Sequence, residues 1–303
     1  MYTYTWYQWL AFFYIYCFFG WVFESTYVSL KKKQLVNRGF LRIPMLPLYG
    51  SGAVMMLWVS LPVKNNLFLV YLSGVIAATA LEYVTGSLME RLFKVRYWDY
   101  SNQKFQLQGY ICLSSSVAWG FLTILMTEVI HQPISEIVVA LNQHILLFCV
   151  ILITIVFVSD TYESTRTALA LGKSLETMTK LKNDIEDLQE RVATLKEEAA
   201  EHVYMVKEDT AARLAAVKTR NRVRVTFAKA ETTDMRAFAA RNRRAELLHL
   251  VKQLADVRAK RNAILSRSGL RHFYRKSLLK GNPGAVSSRF AAALKELRDE
   301  IGV

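Results

Sequence analysis

Apolar residues in this chain arrive in long blocks, without the short alternation of a soluble fold. The first block covers about residues 6–28, close to the ~20 residues a helix needs to cross hydrocarbon. Four more follow, at about 46–61, 67–90, 110–130 and 137–158. Each reads as a membrane-spanning helix. The second is short, and Pro44 and Pro47 break its entry. Residues 62–66 read as a tight turn, and His131-Gln132-Pro133 is predicted to break the chain between the last two spans. Tyr2, Tyr4, Trp6, Tyr7 and Trp9 gather at the start of the first block, where aromatic rings favour the lipid–water interface.

Beyond about residue 160 the pattern changes. Leu171, Met178, Leu181, Ile185, Leu188, Val192, Leu195 and Ala199 include a run of three- and four-residue steps, a heptad seam with charged residues between. Leu247, Leu250, Leu254 and Val257 repeat the spacing. The expected fold is all-α: a polytopic membrane helix bundle over 1–160, then a helical, coiled-coil-forming basic tail over 161–303. A hairpin folded back on itself would show the same seam as an intermolecular coiled coil. Self-association through 171–206 and 247–265 is therefore one of two open readings. Gly281-Asn282-Pro283-Gly284 should end a helix near the C-terminus.

Charge sharpens this division. Residues 1–159 hold 10 Lys+Arg and 6 Asp+Glu, while 160–303 hold the remaining 29 and 19. The mean hydropathy of +0.16 and net charge of +14 thus average two chemistries. The loop after the first block carries Lys31, Lys32, Lys33, Arg38 and Arg42; the loop after the third carries Arg91, Lys94, Arg96 and Lys104. The turn after the second block has only Lys64, and the loop after the fourth has no basic residue. The positive-inside rule then puts the N-terminus outside and the long tail in the cytoplasm. Residues 213–244, rich in Arg and Ala, and the basic, aromatic 271–276 suit anionic lipid headgroups or nucleic acid, and continuity with a membrane anchor favours lipid.

Cys17, Cys112 and Cys149 lie in apolar stretches at spacings that fit neither zinc nor a redox pair, and read as small buried hydrophobes. No basic leader region precedes the first block, so no cleavable signal is expected. No complete Gly-x-x-x-x-Gly-Lys-Ser/Thr Walker motif occurs, and no Gly-x-Ser-x-Gly marks an enzyme. No cofactor and no metal are expected.

The informative residues are the polar ones inside apolar surroundings. A carboxylate in hydrocarbon costs at least ~2.5–3.5 kcal/mol on insertion scales, so it needs a partner or a wet cavity. Glu82 is eight residues from the end of its block, about 12 Å deep at 1.5 Å per residue. Glu90 follows two turns on and faces a similar side, and Glu24 enters from the same leaflet. Arg38 and Arg96 are the expected counter-charges, Arg38 the partner of Glu82 in particular. Glu24 and Glu90 read equally as interfacial ion pairs, Asp99 as a turn or cap residue, and Trp98, Tyr97 and Tyr100 as interface anchors. A carboxylate site for acid–base or metal chemistry on lipid headgroups is a minority alternative.

Several motifs occur together and in order. They are Gly20-Trp21-x-x-Glu24, Asn37-Arg38-Gly39-Phe40-Leu41 with Pro44, Pro47 and Tyr49-Gly50, then Glu82 and Glu90, Trp98-Asp99-Tyr100-Ser101, Gly109-Tyr110-Ile111-Cys112-Leu113 and Trp119-Gly120. Over about residues 1–160 the chain resembles a bacterial family of small integral membrane proteins catalogued as putative ABC-transporter type IV permeases. The resemblance implies a permease-like subunit in the bacterial cytoplasmic membrane, embedded in the lipid bilayer and served by a separate ATPase subunit. It implies that Glu24, Asn37, Arg38, Glu82, Glu90 and Asp99 line a polar site, with Trp98, Tyr100 and the rest of 98–101 capping it. The alternatives are a membrane-anchored scaffold or sensor acting through the tail, and an intramembrane enzyme.

Overall fold

The computed structural model describes residues 4–217, 225–265 and 270–302, with the side chains of residue 210 and of 213–239 and 270–272 left aside. Tyr2 and part of the basic 213–244 stretch therefore lie outside the described residues. The chain is all-α with almost no strand. Helices α1 (Trp6–Lys32), α2 (Pro47–Ser60), α3 (Leu67–Phe93), α4 (Leu113–Leu125), α5 (His131–Ala140) and α6 (Gln143–Val217) follow one another, then α7 (Val225–Leu265), α8 (Leu270–Gly281) and α9 (Ala291–Ile301). A two-stranded ribbon, β1 (Gln106–Leu107) against β2 (Ile111–Cys112), folds the α3–α4 loop.

Local chemistry sets the ends. Asn66 caps α3 by accepting hydrogen bonds from the Phe68 and Leu69 amides at 3.0 and 3.3 Å. Pro47 stands in the first turn of α2, where a missing N–H costs nothing. Lys33 and Lys94, at φ 53° and 63°, close α1 and α3 in the left-handed conformation.

Among the described residues three helical stretches are long and apolar enough to cross a membrane: Leu67–Phe93, Leu113–Ala140 and the one starting at Gln143. Between 17% and 22% of their most apolar windows is buried within the protein. Phe19, Phe23, Ile76, Phe121 and Phe148 instead point outward, each more than half exposed. Such a surface is stable with lipid as solvent, because helices satisfy their own backbone hydrogen bonds there. The chain is a membrane helix bundle. α2 is a shorter apolar helix, and α1, of 27 residues, is rich in Tyr, Trp and Phe.

Small residues bring the helices together, as expected where no hydrophobic force acts between them. A methyl on Gly50 of α2 would sit 2.6 Å from the Phe13 carbonyl oxygen of α1. One on Gly120 of α4 would meet Val75 of α3 at 2.7 Å. Phe12, Leu57 and Val70 are completely buried between these elements.

The predicted break at His131-Gln132-Pro133 is a correction. The helix carries on to Ala140, and the chain turns at Leu141 and Asn142 instead. Pro133 removes one amide and crowds the preceding turn, and a π-helical stretch over Met126–Ile130 directly before it absorbs the misfit. His131 is completely buried, with its Nδ1 2.8 Å from the Tyr16 hydroxyl.

The described chain divides into two compact units, residues 1–176 with 268–303, and 177–267. In the second, the seam positions are the sheltered ones: Ile185 and Val192 are buried, and Leu247, Leu250, Leu254 and Val257 are less exposed than their neighbours. In the first, α8 ends at Gly281, where its sequence predicts, and Leu278, Leu279, Ala293, Leu294 and Leu297 are buried.

Candidate functional site

On α3 the buried positions recur every four residues: Val70, Gly74, Ala78, Glu82 and Gly86. Four of the five are apolar or lack a side chain; the fourth is a carboxylate. Glu82 is 4% exposed. Its Oε1 accepts from the Tyr100 hydroxyl at 3.1 Å. Its Oε2 accepts from Trp119 Nε1 at 2.9 Å and from Ser115 Oγ at 3.3 Å. Tyr100 comes from the α3–α4 loop, Ser115 and Trp119 from α4. Among the described residues no cation touches Glu82.

Arg38 is therefore not the partner of Glu82. Its amide is tied to Ser25 Oγ at 3.1 Å, which lays the side chain along the end of α1. There its Nε lies 3.7 Å from Glu24 Oε2, while Tyr49 donates to Glu24 Oε1 at 2.8 Å. The edge of the Tyr49 ring meets Trp119 at 6.3 Å between centroids. Tyr49 and Trp119 thus connect Glu24 to Glu82 through side chains, with Arg38 held at the outer end. Arg38 also donates to the Tyr97 carbonyl at 3.2 Å, joining the two basic loops. Phe40 reinforces the junction, stacked on Phe93 and edge-on to Tyr97.

Glu90 forms a second cluster nearer the loops. Arg96 Nε donates to its Oε2 at 2.6 Å and Tyr110 to the same oxygen at 2.5 Å. Ser288 donates to Oε1 at 2.9 Å. The Arg96 guanidinium lies 4.7 Å over the Tyr110 ring and 3.7 Å from Asp99. Asp99 is exposed and accepts from the Ser101 amide and hydroxyl, the hydrogen-bonded turn its sequence suggested. Gly109, at φ +75°, packs its Cα where a methyl would collide with Arg96 and Asp99. Burial and the neighbouring Glu82 carboxylate push the Tyr100 phenol well above its usual range, so it remains a donor. Burial and the bond to Glu90 push Tyr110 the same way.

The remaining expected residues play bracing parts. Asn37 is exposed, accepts from Trp21 Nε1 at 2.6 Å and donates to the Arg42 carbonyl at 2.8 Å. It shapes the loop and does not reach Glu82. Trp98 donates to the Tyr110 carbonyl at 2.9 Å and packs beside Gly86. Of the eight expected site residues, Glu82 and Tyr100 meet directly, as do Glu24 and Arg38; Glu90 and Asp99 share Arg96.

Sequence reasoning passed over Tyr49, Tyr110, Ser115 and Trp119 as site residues, and it passed over Asp160. Asp160 is 6% exposed and accepts from the Arg42 and Ile43 amides at 2.8 and 3.2 Å. Arg42 grips its Oδ1 through Nε and Nη2 at 2.8 and 2.7 Å. The available signal was position: Asp160 is the first charge after the last apolar block, opposite a loop with two arginines. Among the described residues no three His, Cys, Asp or Glu side chains converge to hold a metal ion.

Residues 11–165 match the family model described as putative ABC-transporter type IV. The chain belongs to this family. The putative ABC-transporter type IV region runs from within α1 through the start of α6, and takes in every carboxylate described above. No curated protein and no solved structure matches the chain. Family membership and the apolar helices together make it a membrane, transporter-related protein.

Proposed function

We propose that the protein is a permease-like subunit of a transporter whose polar site centres on Glu82. One observation carries the reading: a buried carboxylate on a lipid-facing helix is held by three neutral donors and, among the described residues, by no cation. A purely structural charge in hydrocarbon is ordinarily paired with an opposite charge, so an acid left without one is suited to a moving counter-charge. Around it, Glu24, Glu90 and Asp99 raise the count to four carboxylates against Arg38 and Arg96. This balance supports a cationic passenger, a proton or an amine. The nine basic residues of the two loops against one on the opposite turn support a cytoplasmic location for the loops, an external N-terminus and a bacterial cytoplasmic membrane. A separate ATPase subunit is the proposed energy source, since the sequence carries no complete Gly-x-x-x-x-Gly-Lys-Ser/Thr motif. Lysine-rich loop ends and the basic tail suit anionic headgroups.

Cells making wild-type protein or Glu82→Gln, at matched membrane levels, are compared for uptake and export of a panel of radiolabelled amines, metal cations and anions. The reading expects at least a tenfold loss of flux for a cation in the variant. A passenger carried equally by both would overturn it. The scaffold reading rests on the tail, and the sheltered seam of 177–267 favours a folded-back hairpin over a free coiled-coil strand.

A further inference from the structure

The C-terminal residues 274–288 touch each of the three loop arginines that hold a carboxylate. Tyr274 lies under the Arg42 guanidinium, 4.1 Å from the ring centroid. Asn282 Oδ1 accepts from Arg38 Nη1 at 2.7 Å, and its amide nitrogen donates to the Gly39 carbonyl at 2.7 Å. Val286 exchanges both backbone hydrogen bonds with Arg96, at 2.7 and 2.9 Å, in an isolated antiparallel bridge. Ser287 donates to the Lys94 carbonyl at 2.6 Å, and Ser288 to Glu90.

These are the contacts of a bound peptide. A main-chain bridge supplies pairing without regard to side chain, and Asn282 supplies selectivity by matching one donor and one acceptor of the Arg38–Gly39 backbone and side chain. Asn282 is 2% exposed, so a residue of another shape would leave buried partners unmet. Gly281 fits because a methyl there would stand 2.6 Å from the Asn37 carbonyl oxygen. Arg298 of α9 holds the Asn282 carbonyl at 3.1 Å, which keeps the turn in shape. The groove is built from loops inside the family region, while the segment that fills it lies more than a hundred residues beyond that region. An occupant from outside the family fold is an addition to it, placed over its ion pairs.

We infer that the α1–α2 and α3–α4 loops form a peptide-docking groove whose occupant is the chain's own 274–288 segment, a displaceable cap over the Glu24–Arg38 and Glu90–Arg96 pairs. That the cap regulates passage rests on the transport reading above; the docking itself does not. Displacement bares the outer ends of both ion pairs, and re-docking covers them.

The test uses full-length protein in nanodiscs, wild type and a loosened variant carrying Tyr274→Ala, Asn282→Ala and Ser288→Ala. Val286→Pro, which deletes one bridge hydrogen bond from a partly exposed strap position, serves as the second variant. A fluorescein-labelled synthetic peptide of residues 270–302 is titrated by anisotropy, and trypsin cleavage after the buried Arg275 is timed by mass spectrometry. Both variants should be cut at least tenfold faster than wild type. The peptide should bind the loosened variant at least tenfold more tightly than wild type, whose groove is filled, and an Asn282→Ala peptide should lose at least tenfold. Equal cleavage in all three proteins, equal peptide affinity for wild type and variant, or indifference to Asn282 in the peptide would each overturn the inference. None of these readouts measures flux, so a failed transport reading leaves the result interpretable.

Discussion

Trp119 Nε1 lies 2.9 Å from Glu82 Oε2, so the indole of α4 is the closest donor to the one deeply buried carboxylate of α3. The bond ties the two helices at the depth where water is least available to replace it. Trp119→Phe keeps the ring and removes the donor. It should lower stability in detergent by about 1–3 kcal/mol, the worth of a hydrogen bond to a charged group, with Oε2 left to the longer bond from Ser115. Combined with Glu82→Gln, the losses should fall short of additive by about 0.5–3 kcal/mol. Thermal unfolding of the four proteins measures the coupling, and strict additivity would mean the bond carries no weight.

Asp160 depends on Arg42 in the same way. Arg42→Met leaves the carboxylate buried with only main-chain donors, and removing one partner of such a pair should cost about 3 kcal/mol. Asp160→Asn placed on Arg42→Met should recover part of the loss. Melting temperatures decide, and a double variant less stable than the single one contradicts this account.

Helix approach gives a third expectation. Gly50→Ala forces a methyl against the Phe13 carbonyl, a backbone atom that cannot swing aside. A loss of about 1–3 kcal/mol is expected from overpacking. Gly284→Ala is the control, with nothing within 4 Å of the added methyl and an expected change within about 0.5 kcal/mol. Fluorescence-detected size exclusion after heating compares them.

Tyr100 sets an alkaline limit. Its phenol is held above the usual tyrosine value, so the folded protein keeps this proton where an unfolded chain, with pKa about 10, releases it. Its contribution is fully present below that value and is lost as pH rises through the higher folded one. Wild type should therefore lose stability more steeply above pH ~10 than Tyr100→Phe does. Parallel curves of melting temperature against pH would show that Tyr100 is not the group involved.

Much of the fold was readable because lipid imposes a coarse code. Apolar blocks of helical length, the turn residues between them and Glu82 inside one of them all follow from local composition. The turn at 131–133 was misread because a proline's local veto can be absorbed by a π-helical turn just before it. Pairing was harder. Arg38 was expected at Glu82, yet Ser25 and Tyr49 direct it to Glu24, and the donors Glu82 does use are neutral residues that look like ordinary interface aromatics and serines.

The sequence by itself determined that this is an all-α membrane protein, that Glu82 stands inside an apolar block with basic loops after the first and third blocks, and that a heptad-bearing tail follows. Those properties depend on hydropathy, spacing and charge, which are local along the chain. Only the tertiary structure decided which donor meets which acid, and that Asn282, over two hundred residues beyond Arg38, returns to bind it. Such partners are chosen by packing and by the demand that every buried polar group be met, and neither leaves a trace in linear order.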